Sequence, residues 1–258
     1  MSDMSDLPCA CETAPLERLR YFNRQLLNAD DMRTEQDYFR EKMRRHNRFL
    51  HGWGVACGCA VEPVKEAKSW TVQVCPGYAV GPQGDDIQID HCVTVDLRLG
   101  ATPEPCTVRW PCPPVGDMPG GAHGSRKAYI AVRYAECYSR PVKVLPAGCG
   151  CDETQCDYSR IRDSFEIKVL WTLPESHLAA RKDDKAWLAA LKGGANDDEQ
   201  RQQGIPVPPC PECASDPWVV LATVLLPADD GGELQVSYAD RRALLATQRL
   251  QVALAAVV

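Results

Sequence analysis

The residues best equipped for chemistry in this chain are its cysteines, 14 in all, because thiolates one to four residues apart can converge on one tetrahedral metal ion. They fall in close groups: Cys9-x-Cys11, Cys57-x-Cys59, Cys149-x-Cys151 followed by Cys156, and Cys210-x-x-Cys213. Cys149, Cys151, Cys156, Cys210 and Cys213 offer five candidate ligands for four positions, each group in a Gly- or Pro-containing loop. A structural zinc that fixes two polar loops to each other is therefore one expectation. Disulfides and plain buried thiols stand beside it as alternatives, and an iron–sulfur cluster fits these spacings poorly. Cys57 and Cys59 are expected on a strand, where residues two apart share a face. Cys210-Pro-Glu-Cys213 precedes a strand instead of opening a helix, which argues against thiol redox catalysis.

Other catalytic constellations are incomplete. His46 and His51 are five residues apart, which turns them by roughly 140° on an α-helix and keeps them from one metal. No nucleophile elbow, phosphate-binding loop or dinucleotide fingerprint occurs. Asp85-Asp86 and Asp229-Asp230 lack the remaining ligands of a calcium loop and read as solvated turns. The chain is therefore expected not to be an enzyme. A hydrolase or redox site built from scattered residues would show itself as a deep pocket holding His46, His91 or His177 beside a carboxylate or thiol.

Composition narrows the partners. Hydrophobic residues make up 45% and charged residues 25% of the 258-residue chain, ordinary globular values. The net charge of −6 disfavours nucleic acid as principal ligand, since phosphate binding needs a concentrated basic surface. One local exception, Arg40, Arg44, Arg45 and Arg48, is a candidate surface for a protein partner. The N-terminus has neither a basic n-region nor an apolar h-region, so synthesis in the cytoplasm is expected, with release in an extracellular particle left open. The apolar tail from Leu250 to Val258 is far shorter than the roughly 20 residues of a membrane span, so Leu250, Leu254 and Val257 are expected to dock on protein.

The elements that must position these residues follow from periodicity. After a flexible segment 1–19, residues 20–99 read as a helix plus a β-meander. Asn28 caps the helix and Gly52 stops it, while Met32, Gln36, Phe39, Met43, His46 and Leu50 form a mostly apolar stripe. Strands are expected at 55–61, 71–74, 87–89 and 93–97. Residues 100–124, rich in Pro and Gly, read as a loop or linker. Strands resume in 125–239 at 128–134, 165–171 and 218–226, with a short helix from about Asp184 to Lys192. A C-terminal helix is expected over 240–258. The fold class is α+β, mainly β: an antiparallel β-sandwich or two small packed sheets, with an N-terminal amphipathic helix and a C-terminal helix.

Three stretches carry a resemblance: Arg20-Tyr-Phe-Asn-Arg-Gln-Leu-Leu-Asn-Ala-Asp-Asp31, Glu35-Gln-Asp-Tyr-Phe39, and His46-Asn-Arg-Phe-Leu-His-Gly-Trp-Gly-Val55-Ala-Cys-Gly. Over residues 20–61 the chain resembles the N-terminal module of tail-fibre and baseplate-associated proteins of phages and phage-tail-like contractile injection systems. The segment Val74 to Asp85 resembles that module's hairpin. The resemblance implies a non-enzymatic structural or adaptor part, an oligomer or hetero-assembly with other tail-like proteins. The residues themselves predict a helix–strand clamp, since Gly52-Trp53-Gly54 allows a sharp reversal that lays the following strand against Phe39 and Met43. A zinc-stabilised module that recruits cargo or a surface ligand is the alternative.

Overall fold

A computed structural model describes residues 15–64, 70–98, 127–143, 156–194, 210–211, 214–227 and 233–255. The fold is α+β and mainly β, with three antiparallel sheets among these residues. Helix α1 spans Ala29–His46 and passes into a π-helical turn, Asn47–His51. Six short strands follow: β1 Gly54–Gly58, β2 Val61–Pro63, β3 Thr71–Val74, β4 Gly77–Val80, β5 Asp86–Ile89 and β6 Val93–Asp96. They build two three-stranded sheets, ordered β1-β4-β5 and β2-β3-β6.

This interleaving corrects the expected meander. The run 55–61 is two strands in different sheets, because Gly58 and Cys59 both take positive φ, 63° and 53°, and redirect the chain between them. A side chain at Gly58 would stand 2.4 Å from the Pro76 carbonyl oxygen, so only glycine passes there. Cys57 is consequently exposed while Cys59 is fully buried; the two do not share a face.

The third sheet is the largest. Strands β7 (Lys127–Lys143), β8 (Cys156–Leu170), β9 (Val219–Leu225) and β10 (Gln235–Ser237) are ordered β10-β9-β7-β8. β9, Val-Val-Leu-Ala-Thr-Val-Leu, is apolar almost throughout and buried along nearly its whole length, as an inner strand between layers should be. β7 and β8 run well beyond the expected 128–134 and 165–171. Their pairing continues to Lys143↔Cys156, whereas β9 accompanies β7 only as far as Val132. The outer half is thus a two-stranded ribbon, mostly exposed apart from Cys137 and the Glu136 carboxylate, and a segment that buries so little leaves no apolar alternation to read.

Helix α2 spans Glu175–Gly194, starting nine residues before the expected Asp184. At its start the Ser176 amide and hydroxyl both donate to the Asp216 carboxylate. The expected C-terminal helix starts later than residue 240: α3 covers Thr247–Ala255, up to the last described residue. Residues before it are held extended against β1, with the Val55 amide donating to the Arg242 carbonyl at 2.8 Å and Leu244 donating to the Val55 carbonyl at 2.9 Å. Backbone groups committed to a strand cannot also close helical turns. One hydrophobic core joins all three sheets, including Val61 and Val72, Ile87 and Ile89, and Ile130, Ile167 and Leu221.

Candidate protein-interaction site

The site is built on α1. Its start is the expected one: the Asp31 amide donates to the Asn28 side chain at 2.8 Å and the Asn28 amide donates to the Asp31 carboxylate at 3.0 Å. This reciprocal box satisfies two of the free first-turn donors, and Asp30 and Asp31 sit at the positive end of the helix dipole. The preceding segment folds back on the helix, where the Tyr21 hydroxyl donates to Glu35. A shallow hollow lined by Arg18, Leu19, Tyr21, Glu35 and Phe39 results.

The helix is fastened by its charged side. Arg40, Arg44, Asn47 and Arg48 recur at helical spacing, and the last three are buried. Arg44 donates from Nε to Asp85 Oδ1 at 2.6 Å and places a second nitrogen 2.5 Å from the same oxygen. It also donates to Glu41 at 2.8 Å. Asn47 Nδ2 donates to the Gly84 carbonyl at 2.9 Å and lies 3.0 Å from Asp86 Oδ1. Arg40 donates to Glu136 of β7 at 2.6 Å. The seat is thus the β4–β5 turn, together with one carboxylate of the large sheet. Gly84, at φ +92°, brings that turn so near that a Cβ would meet the Arg44 carbonyl oxygen at 2.3 Å.

Burial pulls the Arg44 pKa down, but the Asp85 and Glu41 carboxylates outweigh it and the net shift is upward. For Asp85, burial exceeds the pull of Arg44 and raises the carboxyl. Two short contacts from one guanidinium to one carboxylate oxygen put the weight on the charged pair at neutral pH. Such a pair adds little net stability against an apolar substitute, yet it is directional and sets one docking register for the helix.

The outcome reverses the expected clamp. Met32, Phe39, Met43 and Leu50 face outward, with Phe39 60% and Leu50 70% exposed. β1 is not laid against Phe39 and Met43; its neighbours are β4 and the segment around Ala243. Arg44 and Arg48, expected as partner-facing charges, are turned inward, and Arg40 is engaged with Glu136. Arg45 is partly buried. Of the C-terminal candidates, Leu250 is exposed on α3, Leu254 lies in the same helix, and Val257 is outside the described residues.

The cysteines divide. Cys149, Cys151 and Cys213 lie outside the described residues, while Cys156 and Cys210 are exposed free thiols. Cys57, Cys59, Cys75 and Cys92 are also free, and Cys137 is disulfide-bonded. Burial, with a smaller push from Cys57 and against the opposing charge of Arg241, raises the Cys59 thiol to about 11, so it stays protonated. His46 and His51 do meet, contrary to the α-helical expectation. The π-helical turn between them, with its wider winding, brings their Nε2 atoms to 3.2 Å. Among the described residues no group of three or more His, Cys, Asp or Glu side chains is placed to hold a metal.

His177 lines a cleft of about 280 Å³ with Arg181, Asp184, Asp240 and Arg242. Its Nε2 accepts the Val220 amide at 3.0 Å and its ring stands edge-on to Trp53. That lone pair is already used, which removes the ring's basic nitrogen from proton transfer. Burial lowers the His177 pKa to about 4, against a smaller opposing pull from Asp216. His91 is exposed beside Asp90 at 2.5 Å. No described helix is long and apolar enough to cross a membrane.

The inward polar stripe was within reach of sequence. Arg40, Arg44, Asn47 and Arg48 have the same period as the apolar stripe, and the acidic turn at Asp85-Asp86 is their complement. What spacing lacks is any statement of which stripe meets the body.

No family model matches this chain, and no curated protein matches it. Among solved structures it is similar to a crystal structure of TssK, with a TM-score of 0.39 and 8% identity over 87% of this chain and 41% of that one. The chain therefore spans less than half the length of that structure.

Proposed function

We propose that this chain is a non-enzymatic structural or adaptor component of a phage-tail-like contractile assembly, attached to baseplate, fibre or tail-end neighbours through the outward apolar face of α1. The observation that carries the reading is the orientation of that helix. A helix joined to a body by its charged side leaves Met32, Phe39, Met43 and Leu50 in water, an arrangement that costs free energy in the isolated chain and is repaid when a partner covers the stripe. The residues that set this orientation, from the Asn28 cap to the Gly52 stop, lie in the segment that resembles the tail and baseplate module. The directional contacts to Asp85, Gly84 and Glu136 give the stripe a fixed aim, as an attachment part requires.

The test is incorporation. Tail-like particles are isolated by sedimentation from cells that make the tagged chain, with wild type compared to Phe39→Asp/Leu50→Asp. Wild type is expected in fixed ratio to the particles. The double variant is expected to be depleted about 10- to 100-fold, the loss of a central apolar anchor, with an unchanged thermal midpoint. Absence of wild type from every particle fraction, or full incorporation of the double variant, rejects the proposal.

A further inference from the structure

Cys75 and Cys92 carry an inference that goes beyond attachment. β3 and β6 pair antiparallel from Thr71↔Asp96 to Val74↔Val93, and the same register carried one residue further sets Cys75 directly opposite Cys92. Leu97 donates to the Trp70 carbonyl at 2.8 Å, which makes 70/97 a hydrogen-bonded pair. Alternation along the ladder then makes 75/92 a non-hydrogen-bonded pair. The Cys75 amide agrees, since it donates to Ala60 on the opposite side at 2.8 Å. Non-hydrogen-bonded pairs hold their Cα atoms at about 4.5 Å with the side chains drawn together, inside the range a disulfide spans. The Cys92 thiol stands near enough to Cys75 to help raise its pKa.

We propose that Cys75 and Cys92 are an oxidation site that forms a cross-strand disulfide when the protein meets a low-molecular-weight disulfide. Cys92 is exposed and Cys75 half-buried, so Cys92 is the first attacker. Its thiolate displaces one small thiol from the reagent RS–SR and becomes the mixed disulfide. Cys75 then attacks the Cys92 sulfur and displaces the second. The protein loses two electrons, the reagent gains them, and the two thiol protons end on two molecules of RSH. Burial, then Cys92 and Glu62, raise the Cys75 thiol, which slows the closing step at neutral pH without changing its product.

The bond has a defined mechanical effect. Residues 75 to 92 leave the β2-β3-β6 sheet, form the β4–β5 hairpin that seats Arg44 and Asn47, and return. A link at the two crossing points closes the base of that hairpin.

The full chain is incubated with a tenfold excess of reduced over oxidised glutathione, native and in urea, quenched by alkylation, and cleaved at Asp without reduction. Asp85, Asp86 and Asp90 lie between the two cysteines, so a disulfide appears as two joined peptides. Native protein is expected to yield the Cys75–Cys92 pair about tenfold more than unfolded protein, since only the folded ladder presents the two sulfurs to each other. Cys92→Ser is expected to leave Cys75 as a glutathione adduct or free. Recovery of both cysteines unlinked from the native protein, or equal linkage in urea, overturns the proposal.

Discussion

Helix α1 and strand β9 meet the body of this protein in opposite ways. β9 presents Val219, Val220, Leu221, Ala222 and Val224 to the interior and is held by burial. α1 and the π-helical turn that continues it present Arg44, Asn47 and Arg48 to the interior and keep Phe39, Met43 and Leu50 in water. Burial is non-directional and tolerates small shifts, whereas charge-assisted hydrogen bonds fix angle and register. The β body is built for stability and the helix for position.

The sharpest way to break that contrast is at the junction between the two regions. Gly54, at φ +141°, would put a Cβ 2.5 Å from the Arg242 carbonyl oxygen. Gly54→Val is expected to cost more than about 4 kcal/mol and unfold much of the chain, read by thermal denaturation. The cause is the close approach of the C-terminal segment, not a fold-back onto Phe39. Asp85→Ala is next: it leaves Arg44 buried with only Glu41, at a cost of about 3 kcal/mol. Because α1 is a local attachment, hydrogen exchange should show it loosened while β9 stays protected; equal deprotection of both would erase the distinction drawn here.

A pH titration probes the interior side. The folded His177 pKa of about 4 lies below the ordinary histidine value of 6.5, so the unfolded chain binds a proton the folded one refuses between these values. Its contribution is whole above about pH 6.5 and is lost as pH falls toward 4, a drop of about 3 kcal/mol. His177→Gln should flatten the stability profile across that window. Smallest of all, Phe39→Ser is expected to change stability by no more than about 0.5 kcal/mol. A loss of 2 kcal/mol or more, on the order of a core truncation, would mean that the stripe is covered within the chain itself.

Local signals in the chain read true where the physics is local. Asn28 and Gly52 bound the helical segment because capping donors and a positive φ depend on residues only a few positions away. Thr71–Val74 and Val93–Asp96 appear as strands for the same reason, since alternation requires just one buried face. The outer ribbon of β7 and β8 carries no readable pattern because pairing with so little burial leaves no apolar alternation. His46 and His51 meet although α-helical spacing separates them, because the π-helical turn changes the angle per residue.

What the chain by itself determined is its mainly β class, the limits of the helical segment and the two faces of α1, all consequences of spacing along one segment. Tertiary structure alone decided which face turns inward, which strands share a sheet and which cysteines stand opposite each other. Those outcomes depend on contacts between residues 41 positions apart, as for Arg44 and Asp85, and no periodicity reaches across such a gap.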